Sequence, residues 1–337
     1  MHSRIRLAGA VVLIGGLSLS FTACGQYSIN NIRALKAFKD ANDLYKKNEF
    51  KAAAAGYEEA LERNPDFFGI TYFFLGNSYD NLYKPAKAGD PENDAYLQKA
   101  VDNYIKATEK IKDTDPQGPQ IRKLAYEYLI AAYNDKMHDL AKAEPVAKHL
   151  IELEPNEPTD YEALGKLYED SGRYDEAEAE FLKAVDVRPN DPSVYQALAG
   201  YYNRQGQFEK TMDAWNKRAE HEPNNPEAWH TIGTYYSDEL IRNKRLTKDK
   251  EKEYIDKGLA AEDKALALNA EYFEALSFKN ILLHFQANLE KDPAKQKALL
   301  QEADDLRNKA LEIQKKQNAG AAGAAPKRGG GGGDKDK

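Results

Sequence analysis

Beginning at Tyr161 the chain reads YEALGKLYEDSGRYDEAEAEFLKAVDVRP. At Tyr195, 34 residues on, it reads YQALAGYYNRQGQFEKTMDAWNKRAEHEP. Large, small and helix-stopping residues return at the same places while the residues between them drift. With Tyr161 as position 4 of a unit, Leu164, Gly165 and Tyr168 take positions 7, 8 and 11. Ala177, Phe181, Ala184 and Pro189 take positions 20, 24, 27 and 32. The first group shares one face of a helix and the second shares a face of another. Small residues at 8, 20 and 27 let two antiparallel helices approach, and the large ones fill the space between them. Pro at 32 lacks an N–H and stops the second helix, and Gly172 marks the turn between the two. A hairpin of this kind keeps apolar surface on both flanks, so it must stack on copies of itself.

The eight positions of this unit resemble the tetratricopeptide repeat. The resemblance implies an all-α fold, a right-handed α-solenoid of helical hairpins. In the second copy Tyr195, Leu198, Ala199, Tyr202, Trp215 and Pro223 keep the pattern. Thr211 and Arg218 occupy its small positions, and looser packing is expected there. Pro226 opens another unit with Trp229, Ile232, Gly233 and Tyr236, whose second helix is expected from about Tyr254 to Leu268 after an insertion. Upstream, Tyr126, Leu129 and Tyr133 pair with Ala143, Ala147 and Pro155. Ala41, Leu44, Phe50, Ala53, Tyr57, Ala60 and Pro65 form a unit near the start. Tyr72, Leu75, Gly76 and Tyr79 follow, paired with Ala100, Tyr104 and Ala107. A degenerate pair closes the series, giving about seven hairpins over residues 32–316. The insertions KPAKAGDPENDA, DELIRNKRLTKDKEK and QANLEKDPAKQK fall in the turn of their hairpins and are expected along one edge. The low-complexity residues 317–337 are expected to be disordered.

The N-terminus MHSRIRLAGAVVLIGGLSLSFTACGQ has a basic start, an apolar stretch from Leu7 to Phe21 and then small residues, the layout of a secretory signal. At about 15 residues the stretch is short of the roughly 20 that a spanning helix needs. Phe21-Thr22-Ala23-Cys24 resembles the bacterial lipobox, with Phe in place of the usual Leu. That resemblance implies residues 1–23 as a cleaved signal, diacylglycerol on the Cys24 sulfur, and residues 24–31 as a short tether. Buried acyl chains at about 0.8 kcal/mol per CH2 would hold the protein on a membrane. Gly25, where an Asp would suggest inner-membrane retention, favours the outer membrane facing the periplasm, or the cell membrane where there is only one. An ordinary cleaved signal with an incidental cysteine is the alternative.

Cys24 is the single cysteine, so neither an internal disulfide nor a cysteine zinc cluster is available. The net charge of −7 lacks the basic surplus of a general nucleic-acid binder. The six histidines show no ligand spacing, and HExxH, GxSxG and GxGxxG are all absent. The C-terminal glycine run has no preceding strand and no Lys-Ser/Thr, so it is no phosphate loop. No enzyme chemistry and no cofactor are expected.

In solenoids of this family the first helix of each hairpin lines the concave groove through positions 2, 5, 9, 12 and 13. The carry-over places Phe38 and Asn42, then Phe73 and Asn77 with Ile70 and Asp80 beside them, as candidates for a peptide groove. Asn amides can donate to and accept from an extended peptide while a neighbouring Phe offers an apolar contact. The alternative is that the Phe residues pack on adjacent helices. Later units place Glu162, Lys166, Glu169, Gln196, Asn203, Arg204, His230 and Thr234 there. Position 5 reads Phe38, Phe73, Glu162, Gln196, His230, which lacks the Lys of carboxylate-clamp chaperone adaptors. The run from Arg242 to Lys252 is basic, either a solvated loop or a contact for anionic headgroups or an acidic partner. The reading that follows is a lipid-anchored scaffold with a protein or peptide partner. Its alternatives are a glycan-acting enzyme with two close carboxylates and a soluble exported repeat protein.

Overall fold

The computed structural model describes residues 29–323 except 67 and 116, with side chains as far as Lys316. The expected signal, Cys24 and most of the expected tether therefore lie outside the described residues. The chain divides into two compact units, one ending at Val146 and the other beginning at Ala147. The first holds α1 (Ile29–Lys46), α2 (Phe50–Arg63), α3 (Ile70–Leu82), α4 (Pro91–Lys110) and α5 (Gly118–Ala131), the last running into a π-helical turn at Ala132–Lys136. α6 (Leu140–Leu153) crosses the division, with Pro145 inside it just before the boundary. That proline removes a helical hydrogen bond. The second unit holds α7 (Pro158–Asp170), α8 (Tyr174–Val187), α9 (Pro192–Arg204), α10 (Phe208–His221), α11 (Pro226–Arg242), α12 (Lys248–Leu268), α13 (Phe273–Leu289) and α14 (Pro293–Gly323). Among the described residues every regular element is helical.

Local chemistry sets the helix ends. Asp90, Asp191 and Asn225 each accept a hydrogen bond from the backbone N–H two residues on, and a proline follows at the first helical position. Gly172 (φ 77°) and Gly206 (φ 69°) make the left-handed turns between α7 and α8 and between α9 and α10. Packed pairs are α1/α2 and α3/α4 in the first unit. In the second they are α7/α8, α9/α10, α11/α12 and α13/α14. α5 packs against α4 and α3. The all-α hairpin architecture expected from the repeat is the observed one, with six such pairs inside the units.

The size rules have visible causes. A Cβ added at Gly165 would lie 3.1 Å from Phe181 Cδ2, and one added at Gly76 would lie 2.9 Å from Tyr104 Cδ1. The position-24 rings Tyr57, Tyr104, Phe181 and Trp215 are all buried, each contributing about 2–3 kcal/mol of apolar burial. Position 4 has a second role. Tyr72, Tyr161 and Tyr195 hydroxyls donate to the carbonyls of Pro65, Pro155 and Pro189, and Trp229 Nε1–H donates to that of Pro223, at 2.8–3.2 Å. The proline that ends one repeat is thus the acceptor for the aromatic residue that opens the next. In the second quoted copy, Thr211 is fully buried with its hydroxyl on the Gln207 carbonyl. Arg218 lies over the Trp215 ring and donates to Glu222, so both large residues are accommodated.

Two sequence expectations change. The inserted residues mostly lengthen helices: α12 begins at Lys248, earlier than Tyr254, leaving residues 243–247 as the turn. A long loop would leave backbone groups unpaired, whereas two extra helical turns pair them and bury Ser237, Leu240 and Tyr254. Likewise α14 continues past residue 316 to Gly323, so the first part of the expected tail is helical.

Candidate interaction face

In the first unit the positions expected to line a groove are closed. α3 is buried on every side from Thr71 to Tyr79. Phe73 packs against Phe74, Tyr104 and Tyr128 at centroid distances of 5.4–6.0 Å. The half-buried Phe38 meets Tyr57, Phe68 and Phe74. Asn42 accepts from the Tyr57 hydroxyl at 2.7 Å, and Asn77 accepts from Tyr45 at 2.5 Å. Asp80 is paired with Lys136 of the π-helical turn, and Ile70 is half-buried. The Phe and Asn side chains are therefore a polar-aromatic core. The physical reason is that α5 lies across α3, bringing Tyr128 onto the face that repeat numbering leaves open. Burial, with the charges of Tyr128 and Asp80 adding, pushes the Tyr45 phenol up to about 12.

The second unit keeps a face open. Lys166 and Asp170 on α7 and Gln196, Asn203 and Arg204 on α9 are exposed, and Thr234 on α11 is half-buried. Arg204 Nε reaches both oxygens of Glu169 at 2.8 and 3.1 Å and its second amino nitrogen adds 2.9 Å, while Gln205 donates at 3.0 Å. This ties α7 to α9. Burial raises the Glu169 carboxyl, but the Arg204 hydrogen bonds and charge outweigh it and hold the group below its usual range. Glu162, half-buried on α7, is pushed up to about 7 by burial and then by the charges of Asp191 and Glu157. α13 adds three half-buried apolar residues, Phe278, Ile281 and Phe285. Sequence reasoning missed these three. Their three- and four-residue spacing was the available signal.

It also missed Glu262. Counted back from the end of α12, Glu262 is at position 24, where Tyr57, Tyr104, Phe181 and Trp215 put rings. Its side chain is 0% exposed. His230 Nδ1 lies 3.1 Å from both carboxylate oxygens, and Thr234 Oγ1 is 3.4 Å from His230 Nε2. Among the described residues no group of three or more His, Cys, Asp or Glu is arranged to hold a metal.

A family model described as tetratricopeptide repeat matches residues 136–201. The C-terminal part of a TPR repeat-containing protein from Cytophaga hutchinsonii superposes with a TM-score of 0.52 at 16% identity, covering 82% of this chain and 98% of its own. Residues 136–201 are tetratricopeptide repeat, and the chain has the fold of a TPR repeat-containing protein. Two further solved structures align with the chain over a smaller share of it. One is MamA from Desulfovibrio magneticus RS-1, with a TM-score of 0.38 at 17% identity over 58% of this chain and 97% of its own. The other is YrrB, described as a TPR protein with an unusual peptide-binding site, with a TM-score of 0.38 at 21% identity over 59% of this chain and 91% of its own. No curated protein matches the sequence.

Proposed function

We propose that this tetratricopeptide-repeat protein is a membrane-anchored interaction scaffold of the bacterial envelope, binding a protein segment along the first helices of its second unit. One observation carries the reading: Lys166 and Asp170 on α7 and Gln196, Asn203 and Arg204 on α9 are exposed, whereas α3 of the first unit is buried from Thr71 to Tyr79. Such a surface suits an extended polar segment, its backbone met by Gln196 and Asn203 amides. The anchoring half rests on the lipobox-like Phe21–Cys24. Among the described residues no helix is long and apolar enough to cross a membrane.

The hydrolytic alternative needs two solvent-facing carboxylates close together. The two raised carboxyls, Glu162 and Glu262, sit in separate surroundings, and Glu262 has no exposure with which to meet a substrate.

In-cell photocrosslinking from position 203, against position 73 as control, tests the binding face. A defined adduct from 203 that is lost with Arg204→Ala supports it, and equal yields from 203 and 73 overturn it. Fractionation of Cys24→Ala tests the anchor: the variant is expected in the soluble fraction and the parent in the membrane. Release of both would make it a soluble exported protein.

A further inference from the structure

The Glu262 slot shows how the α11/α12 hairpin differs from its neighbours. In the hairpin α7/α8 the corresponding Phe181 fills the space beside Gly165. In α11/α12 the space beside Gly233 holds the Glu262 carboxylate, and a Cβ there would come within 2.6 Å of its Cδ. His230 closes the slot, its ring set edge-on against Tyr272 at 5.1 Å and Phe278 at 5.3 Å. Those two rings come from the start and body of α13, so the pair forms part of the seat on which α13 rests.

We propose that the Glu262–His230 pair is a proton-operated joint, seating α13 on α11/α12 while it holds its proton and loosening that seat when the proton leaves.

While the pair holds one proton its net charge is zero: one ring nitrogen bonds the carboxyl group and the other bonds Thr234. Once it is lost, a bare carboxylate remains in an apolar slot beside a neutral imidazole. Burial pushes the Glu262 carboxyl up to about 7, the hydrogen bond and charge of His230 opposing the rise and Asp263 adding to it. Tyr272 also faces the pair, and Glu227 and Glu274 act on Tyr272. Asp263 is itself paired with Lys279 of α13, which also meets Glu302 of α14. A carboxyl raised in the folded state gives stability that is complete below its unfolded value of 4.5 and is lost as pH rises through about 7.

Hydrogen exchange of the full chain at about pH 5.5 and about pH 8, corrected for intrinsic rates, tests the joint. Protection of α12 and α13 amides is expected to fall on the order of tenfold between the two. Glu262→Gln, which keeps shape and hydrogen bonding, and Glu262→Phe, which restores the ring of the other hairpins, are expected to abolish the fall. Protection of α4 amides checks that each variant is folded. An unchanged α13 in the parent chain, or an equal fall in Glu262→Gln, would overturn the proposal.

Discussion

Hairpins α7/α8 and α11/α12 have the same register and the same glycine at position 8, yet one encloses Phe181 and the other Glu262. The apolar ring needs nothing but space. The carboxylate needs a partner, and His230 at position 5 provides it at 3.1 Å. Position 5 faces a partner protein in the usual numbering of the repeat. In α11/α12 it is turned instead onto Glu262 inside the hairpin. Unit 1 reaches the same end by another route, since Phe38 and Phe73 at position 5 are drawn into the aromatic core.

The largest effect should come from crowding the slot. Gly233→Ala drives a Cβ into the Glu262 carboxylate and is expected to cost about 2–4 kcal/mol, against about 1 kcal/mol for Gly165→Ala beside the Phe181 ring. Equal losses in urea unfolding would erase the contrast between the two hairpins. Next, Glu262→Phe should stabilise the protein by about 1–3 kcal/mol at pH 8, because apolar packing replaces a buried carboxylate that has lost its proton. Its advantage should vanish at pH 5, where Glu262 is protonated.

Arg204→Ala should cost about 1–2 kcal/mol by leaving the Glu169 carboxylate, 7% exposed, without its fork of donors. Here the pH dependence has the opposite sign. Glu169 is held below its ordinary range, so its contribution is present above the unfolded value of 4.5 and is lost as pH falls. Denaturant midpoints should therefore depart from the parent at the alkaline end in both variants, downward for Arg204→Ala and upward for Glu262→Phe, with the Glu262→Phe difference gone by pH 5 and the Arg204→Ala difference shrinking only below about 4.5. Smallest is Tyr195→Phe, which removes one exposed hydrogen bond to Pro189 and should cost about 0.5–1 kcal/mol in a thermal melt.

The hairpins were legible because their spacing records contacts made within a short stretch: Gly165 against Phe181, Tyr195 against Pro189. The binding face was harder to read, since whether a helix face stays open depends on what lies across it. Nothing near Phe73 in the sequence announces Tyr128, 55 residues away. A clue did exist in ITYFFLGNSY, which is apolar on too many sides for a helix with an open face. Glu262 was legible in principle as the acidic residue in an aromatic register. The insertion before α12 hid that register, which emerges only when positions are counted back from Asn269.

The most direct test follows the side-chain carboxyl carbons of 13C-labelled glutamate by NMR through a pH titration. The account predicts a resonance with a midpoint at about 7 that disappears in Glu262→Gln. If the resonance lost in Glu262→Gln titrates instead near 4.5, the ordinary glutamate value, Glu262 does not occupy the dry slot described for it.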